Sequence, residues 1–224
     1  GGYSNLEHIE CVQVSGNLAY VLGAKSLQVI DVSIPAQPVL VGGYPNLGWA
    51  RCVQVIGNLA YVADGDDGLK VIDVSIPAKP VLVGGDDTFG TARCVQVIGN
   101  LAYVADGNNG LQVIDVSDPA GPFWVASYDA IGSAMCVQVV ANLAYVTDSG
   151  RITDSGRSMT VIDLSSRVEQ TVPPYDRLAT AGVLNPWAPR ITGDLQGATY
   201  GPDDSPEMKI SDPFRSTGSL WYTW

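Results

Sequence analysis

The stretch RCVQVIGNLAYVADGDDGLKVIDVSIPAKPVLVGG, residues 51–85, returns forty-two residues later as RCVQVIGNLAYVADGNNGLQVIDVSDPAGPFWVAS, residues 93–127. Near-identity at a fixed offset is the mark of a repeat architecture, in which each unit hides its apolar face only against its neighbours. Aligning on Cys-Val-Gln-Val places Cys11, Cys52, Cys94 and Cys136 at spacings of 41, 42 and 42. The same register aligns Asn17, Asn58, Asn100 and Asn142, and then Asp31, Asp73 and Asp115. A fourth copy carries an insertion between Thr147 and Arg157, which delays its Val-Ile-Asp to Asp163.

Within one unit the pattern predicts four short strands. Cys52-Val-Gln-Val55 alternates as a pleated strand does, and Gly57-Asn58 makes a tight turn into Leu59-Ala-Tyr-Val62. Asp64-Gly-Asp-Asp-Gly68 turns the chain again, since Gly68 can take positive φ at no steric cost. Leu69 to Val74 is β-branched and reads as the third strand. The proline-bearing loop 75–80 leads to a brief fourth strand at Val81-Leu-Val83, placed at an edge by its prolines. No segment holds a 3.6-residue period for ten residues, which excludes a helical solenoid. Four antiparallel strands in about 42 residues make one propeller blade.

The words Gly-Asn-Leu-Ala-Tyr-Val-Ala-Asp-Gly, Gly-Leu-Gln-Val-Ile-Asp-Val-Ser and Pro-Val-Leu-Val-Gly resemble the LVIVD-repeat family of bacterial and archaeal β-propellers over residues 1 to about 172. The resemblance implies propeller domains, often in secreted or surface proteins, and supplies no catalytic motif. The expected fold is all-β: a propeller of four-stranded antiparallel blades, at least four of them, over 1–41, 42–83, 84–125 and 126–172. The family implies more blades than four. The four copies therefore make a small ring, a ring completed by the tail, an incomplete record, or part of an oligomer that completes the ring.

The text changes at Pro173. Residues 173–224 hold half of the 14 prolines and three of the five tryptophans, and no cysteine. This tail is either a ring-closing segment or an arm that docks through Trp187, Trp221, Tyr222 and Trp224. Disorder is disfavoured because so many aromatics gain by burial.

Composition bounds the partners. Hydrophobic residues make up 46% and charged residues 16%, which suits a β-rich core. A net charge of −11 without any Lys/Arg run argues against nucleic acid and anionic membrane surfaces. No apolar run approaches the roughly 20 residues that span a bilayer as a helix. The chain begins Gly1-Gly2-Tyr3, with neither Met nor a signal peptide, and reads as a mature, processed or partial chain.

Candidate chemistry is sparse. The four cysteines, one per blade, suggest a ring of thiolates for a soft metal. Against this, equivalent positions in adjacent blades are expected to lie too far apart for a disulfide, and buried free thiols acting as small hydrophobes are the simpler reading. Asp31, Asp73, Asp115 and Asp163 recur too regularly to be catalytic and read as acceptors tying strand to loop. The turns 64–68 and 106–110 invite calcium, but they lack EF-hand spacing and a closing Glu, and hairpin chemistry explains them. The expectation is no cofactor and no metal. His8, the chain's one histidine, precedes the first strand as a loop residue, and no nucleophile elbow, phosphate loop or glycosidase carboxylate pair appears. The protein is expected not to be an enzyme.

Topology picks out a face. In a four-strand meander the second-to-third turn and the link to the next blade lie at one end. That end collects Asp66, Asp67, Asn108, Asn109 and the insertion at 148–158. It also collects linkers bearing Tyr44, Trp49, Asp86, Asp87, Phe89, Tyr128 and Asp129. Variation among the copies concentrates there, where loops on a rigid scaffold usually recognise partners; drift where packing does not restrain the chain gives the same pattern. The expected function is a protein-interaction or structural module of an extracytoplasmic or surface assembly. The alternative is a carbohydrate or small-ligand binder that stacks sugar on Trp49, Phe89 and Tyr128.

Overall fold

The computed structural model describes residues 2–4, 6, 8–23, 25–129, 132–149, 158–165, 207–211 and 219–223. The chain divides into two compact units, 1–171 and 172–224. The first is a succession of antiparallel sheets, each in simple meander order. Blade 1 comprises β1 (Cys11–Ser15), β2 (Leu18–Leu22), β3 (Leu27–Asp31) and β4 (Val39–Tyr44). Blade 2 comprises β5 (Cys52–Ile56), β6 (Leu59–Ala63), β7 (Leu69–Asp73) and β8 (Val81–Asp86). Blade 3 comprises β9 (Cys94–Ile98), β10 (Leu101–Ala105), β11 (Leu111–Asp115) and β12 (Phe123–Tyr128). Blade 4 shows three strands among the described residues: β13 (Ala134–Val140), β14 (Leu143–Asp148) and β15 (Ser158–Asp163). No helix occurs among the described residues.

The sheets meet at their first and second strands: β1 touches β5, β5 touches β9 and β9 touches β13. They are therefore splayed, with the Cys-Val-Gln-Val strands innermost, as propeller blades are. The fourth strands run three residues past the sequence expectation, to Tyr44, Asp86 and Tyr128, which stand opposite Leu27, Leu69 and Leu111. A bulge at each third-to-fourth pairing places an extra residue on the fourth strand, for example Val83 opposite the step from Val71 to Ile72.

One face of each blade looks forward onto the next. Tyr20, Leu27 and Val29 of blade 1 pack on Val53, Val55 and Val62 of blade 2. Tyr61, Leu69 and Val71 pack likewise on Val95, Val97 and Val104. Leu27, Leu69 and Leu111 are each fully buried, and each contributes about 1.5–3 kcal/mol by leaving water. Polar side chains close the same junctions. The Gln13 amide donates to the Val55 carbonyl at 3.2 Å, and its oxygen accepts from the Val55 N–H at 2.6 Å. Gln54 with Val97 and Gln96 with Val139 repeat the arrangement.

Further out, glycine sets the spacing. A Cβ on Gly42 would lie 2.6 Å from the Pro77 carbonyl, and one on Gly84 would lie 2.4 Å from that of Pro119. The outer strands thus need glycine where the next blade's Pro-Ala loop presses on them. Blade 3 has Ala126 at the equivalent place, and in the fourth copy the sequence has Arg167-Val168 where blade 2 has Pro77-Ala78.

In the second unit, β16 (Glu207–Ser211) pairs with β17 (Ser219–Thr223). Trp221 and Tyr222 lie on β17 opposite Lys209 and Met208, while Trp187 and Trp224 fall outside the described residues.

Candidate functional site

The second-to-third turns and the inter-blade linkers do meet at one end. Gly65 and Ala92 exchange both backbone hydrogen bonds, at 3.1 and 2.8 Å, and Gly107 and Ala134 do the same at 3.2 and 2.8 Å. Each turn is thereby stitched to the linker entering the next blade. The turn closes on itself through the Asp64 N–H to the Gly68 carbonyl at 2.8 Å. Gly68 has φ of 71°, and a Cβ there would strike the Asp86 carbonyl at 2.3 Å, so no other residue fits.

Beneath these turns lie three aspartates that the sequence reading passed over. Asp64 and Asp106 are fully buried and Asp148 is nearly so. Asp64 accepts from the Gly48 N–H at 2.8 Å, Asp106 from the Thr88 hydroxyl, and Asp148 from the Ser158 hydroxyl at 2.6 Å. Asp64 and Asp106 tie the end of a second strand to the linker ahead of it, and Asp148 ties β14 to the start of β15. The second carboxylate oxygens of Asp64 and Asp106 are buried without a hydrogen-bond partner. Burial accordingly raises Asp64 to about 6 and Asp106 to about 7. The signal was present in the sequence: these residues stand twelve after Cys52, Cys94 and Cys136, where blade 1 has Gly23.

On the surface above, a groove of about 350 Å³ is lined by Asp66, Asp67, Lys70, Leu82, Asp86 and Asp87, with Gly84 and Gly85. It unites four of the predicted residues around one lysine. Burial, and then the charge of Asp87, raises Asp86 to about 6. The Thr91 hydroxyl donates to Asp66 at 2.9 Å, and the Phe89 N–H donates to Asp87 at 3.0 Å. Phe89 has φ of 61° and is 55% exposed. Trp49, 60% exposed, stands beside Gly65, where an added Cβ would lie 2.9 Å from that of Trp49. The Arg51 guanidinium lies 6.0 Å from the Trp49 ring centre and also reaches Glu10 at 3.2 Å.

The remaining candidates are placed differently. Asn108 and Asn109 are exposed on the equivalent turn of blade 3, where the Asn109 carbonyl accepts from the Gln112 amide at 2.6 Å. Tyr44 and Tyr128 are half-buried against the blade cores, and Asp129 is exposed just past β12. Most of the insertion, 150–157, lies outside the described residues. His8 is exposed before β1. Among the described residues no group of three His, Cys, Asp or Glu side chains could hold a metal ion.

Asp31, Asp73, Asp115 and Asp163 each accept from the backbone N–H of a serine two residues on, at 2.7 to 2.9 Å. The hydroxyl and then the backbone of Ser33 hold Asp31 below the usual carboxylate range. The cysteines depart from expectation. Cys94 Sγ lies 3.2 Å from Cys136 Sγ and 4.0 Å from Cys52 Sγ, and all four thiols are free. The expected wide separation fails because the innermost strands converge and their cysteines point along the row from blade to blade. Cys136 is exposed, and its hydrogen bond with Cys94 lowers it to about 6.

Residues 9–45, 47–88 and 89–130 each match the family model described as the LVIVD repeat, together more than half of the chain. No curated protein matches it. Among solved structures, the chain is similar to the computationally designed Ika4 protein at a TM-score of 0.58 and 12% identity, over 72% of this chain and 94% of that one. It is also similar to the computationally designed Ika8 protein, at 0.56 and 12%, over 72% of this chain and 47% of that one.

Proposed function

The chain belongs to the LVIVD-repeat family, and from that premise we propose that it is a non-enzymatic protein-interaction or structural module of an extracytoplasmic or surface assembly. A rigid stack of repeats that presents loops at one end suits a binding or structural role. The observation that carries the finer reading is the groove in which Asp66, Asp67, Asp86 and Asp87 come together with exposed Trp49 and Phe89 nearby. Its chemistry suits a protein segment with Lys or Arg side chains: carboxylates supply steering and charge-assisted hydrogen bonds, and the aromatics supply anchors. A net charge of −11 reinforces that preference.

The carbohydrate reading is weaker on one point. Of the three aromatics it would use, Tyr128 packs against the core of the third junction. The test is isolation of the native complex by mild cross-linking, followed by titration of the purified partner with the wild type and with Asp66→Asn/Asp67→Asn/Trp49→Ala. A tenfold or greater loss of affinity, with salt dependence reduced, supports the groove. Unchanged affinity overturns it, and glycan-array binding that Trp49→Ala removes favours the carbohydrate reading instead.

A further inference from the structure

The two ends of the blade stack expose the two halves of a junction that the molecule builds three times internally. Val53 and Val55 of blade 2 are 5% and 6% exposed, and their equivalents in blades 3 and 4 are equally covered. Their equivalents in blade 1, Val12 and Val14, are 58% and 59% exposed. At the other end, Leu111 and Val113 of blade 3 are 0% and 4% exposed, whereas Met159 and Val161 of blade 4 are 58% and 50% exposed. Gln138, the fourth residue in the series Gln13, Gln54, Gln96, is exposed as well, and among the described residues no onward strand meets it. Blade 1 therefore offers a backbone N–H and C=O at Val14 that lack their glutamine, and blade 4 offers the glutamine that lacks its valine.

The occupant is specified by this complementarity. Completing the blade-4 end requires a Cys-Val-Gln-Val strand, and residues 166–224 contain none. Of the four such strands, β1 is the one whose two valines stand exposed, and that exposure excludes closure onto blade 4 of the same molecule in this structure. The entry to β1 already has the form of an inter-blade linker. Gly1-Gly2-Tyr3-Ser4-Asn5-Leu6 repeats Gly42-Gly43-Tyr44-Pro45-Asn46-Leu47. Leu6 packs beside Ala19, Val21 and Ile30, as Leu47 packs beside Ala60, Val62 and Ile72. Tyr3 and Leu6 thus take the place that Tyr44 and Leu47 take at a filled junction, and the Val12 and Val14 surface stays clear.

We propose that a second copy of this chain completes both ends, its blade 1 seating on blade 4 of the first and the reverse, with Gln138 of one copy clamping Val14 of the other. The two junctions are identical by symmetry and close a wheel of eight blades, within the range that propellers span. This surface is separate from the acidic groove and does not depend on it.

The row of cysteines provides the test. At the filled junctions equivalent Sγ atoms lie 3.2 and 4.0 Å apart, so Cys136 and Cys11 of the second copy come within similar reach. In the variant Cys52→Ala/Cys94→Ala these are the two thiols left. Oxidation with copper phenanthroline should give a covalent dimer of about 47 kDa, twice the 23.6 kDa chain, whose bridging peptide joins Cys11 to Cys136. Light scattering of the unmodified protein should give the same mass, and Val14→Asp, at a site exposed in the single chain, should lower it to the monomer without loss of folding. A monomeric mass for the unmodified protein overturns the proposal, as does a Cys11–Cys136 bond within one chain.

Discussion

Gln96 on β9 grips Val139 on β13 at both of its backbone groups, its amide donating to the carbonyl at 3.4 Å and its oxygen accepting from the N–H at 2.5 Å. The first strands of adjacent blades are not paired as a sheet, so these side-chain bonds do for two blades what ladder bonds do within one. Val139 is 5% exposed, and water cannot readily replace a lost partner.

Gln96→Ala should therefore lower the unfolding free energy by about 1–3 kcal/mol, the cost of stranding a buried backbone N–H. Urea denaturation checks this. Gln138→Ala, exposed and with no onward strand among the described residues, should change the stability of the monomer by less than about 0.5 kcal/mol.

Gly84→Ala should destabilise by about 1–3 kcal/mol through overpacking, since the new Cβ would lie 2.4 Å from the Pro119 carbonyl of the next blade. Ala126→Gly, at the same place in blade 3, removes a Cβ that the fold already accommodates and should cost less than about 1 kcal/mol. Thermal denaturation of both variants separates the effects, and equal losses would mean that the Pro-Ala loop does not set the spacing.

Ala141 takes φ of 53° at the turn position where blades 1 to 3 carry Gly16, Gly57 and Gly99 at 57–59°. Left-handed backbone is strained for alanine by about 1 kcal/mol. Ala141→Gly should stabilise the protein by about 0.5–1 kcal/mol, and Gly99→Ala should destabilise it by a similar amount. Urea midpoints measure both.

Burial raises Asp106 to about 7, well above an unfolded carboxylate. The folded state then holds this proton more tightly than the unfolded one. Its contribution to stability is complete below about pH 4 and is lost as pH rises through about 7. Asp64 and Asp86, both raised to about 6, act in the same sense. Unfolding free energies at pH 4.5 and 7.5 should show a decline that Asp106→Asn reduces by about 1–3 kcal/mol. A slope unchanged in the variant would show that Asp106 does not titrate in that window.

Much of the fold was legible because the repeat writes it out. The Cys-Val-Gln-Val alternation, the Gly-Asn turns and the β-branched third strand each state local geometry, and agreement between copies removes the ambiguity of a short apolar run. That Asp31 and its equivalents are acceptors tying strand to loop followed from their recurrence, and the structure supplies the donor, the serine two residues on. Asp64 and Asp106 were missed because a carboxylate beside glycine reads as turn chemistry, and Asp148 because it stands at the edge of the insertion; only packing shows that they lie inside. The cysteine spacing was misjudged for a related reason: distance between blades varies with distance from the axis, and a linear repeat carries no radius.

The sequence by itself determined strand order, turn type and which side of each strand is apolar, since these depend on neighbours along the chain and on a pattern repeated four times. Tertiary structure alone decided which apolar faces are covered, where four aspartates from two loops converge, and that Val12 and Val14 stand open while identical words elsewhere are closed. Burial belongs to what lies across a junction, and a residue's own letters do not record whether a neighbour is there.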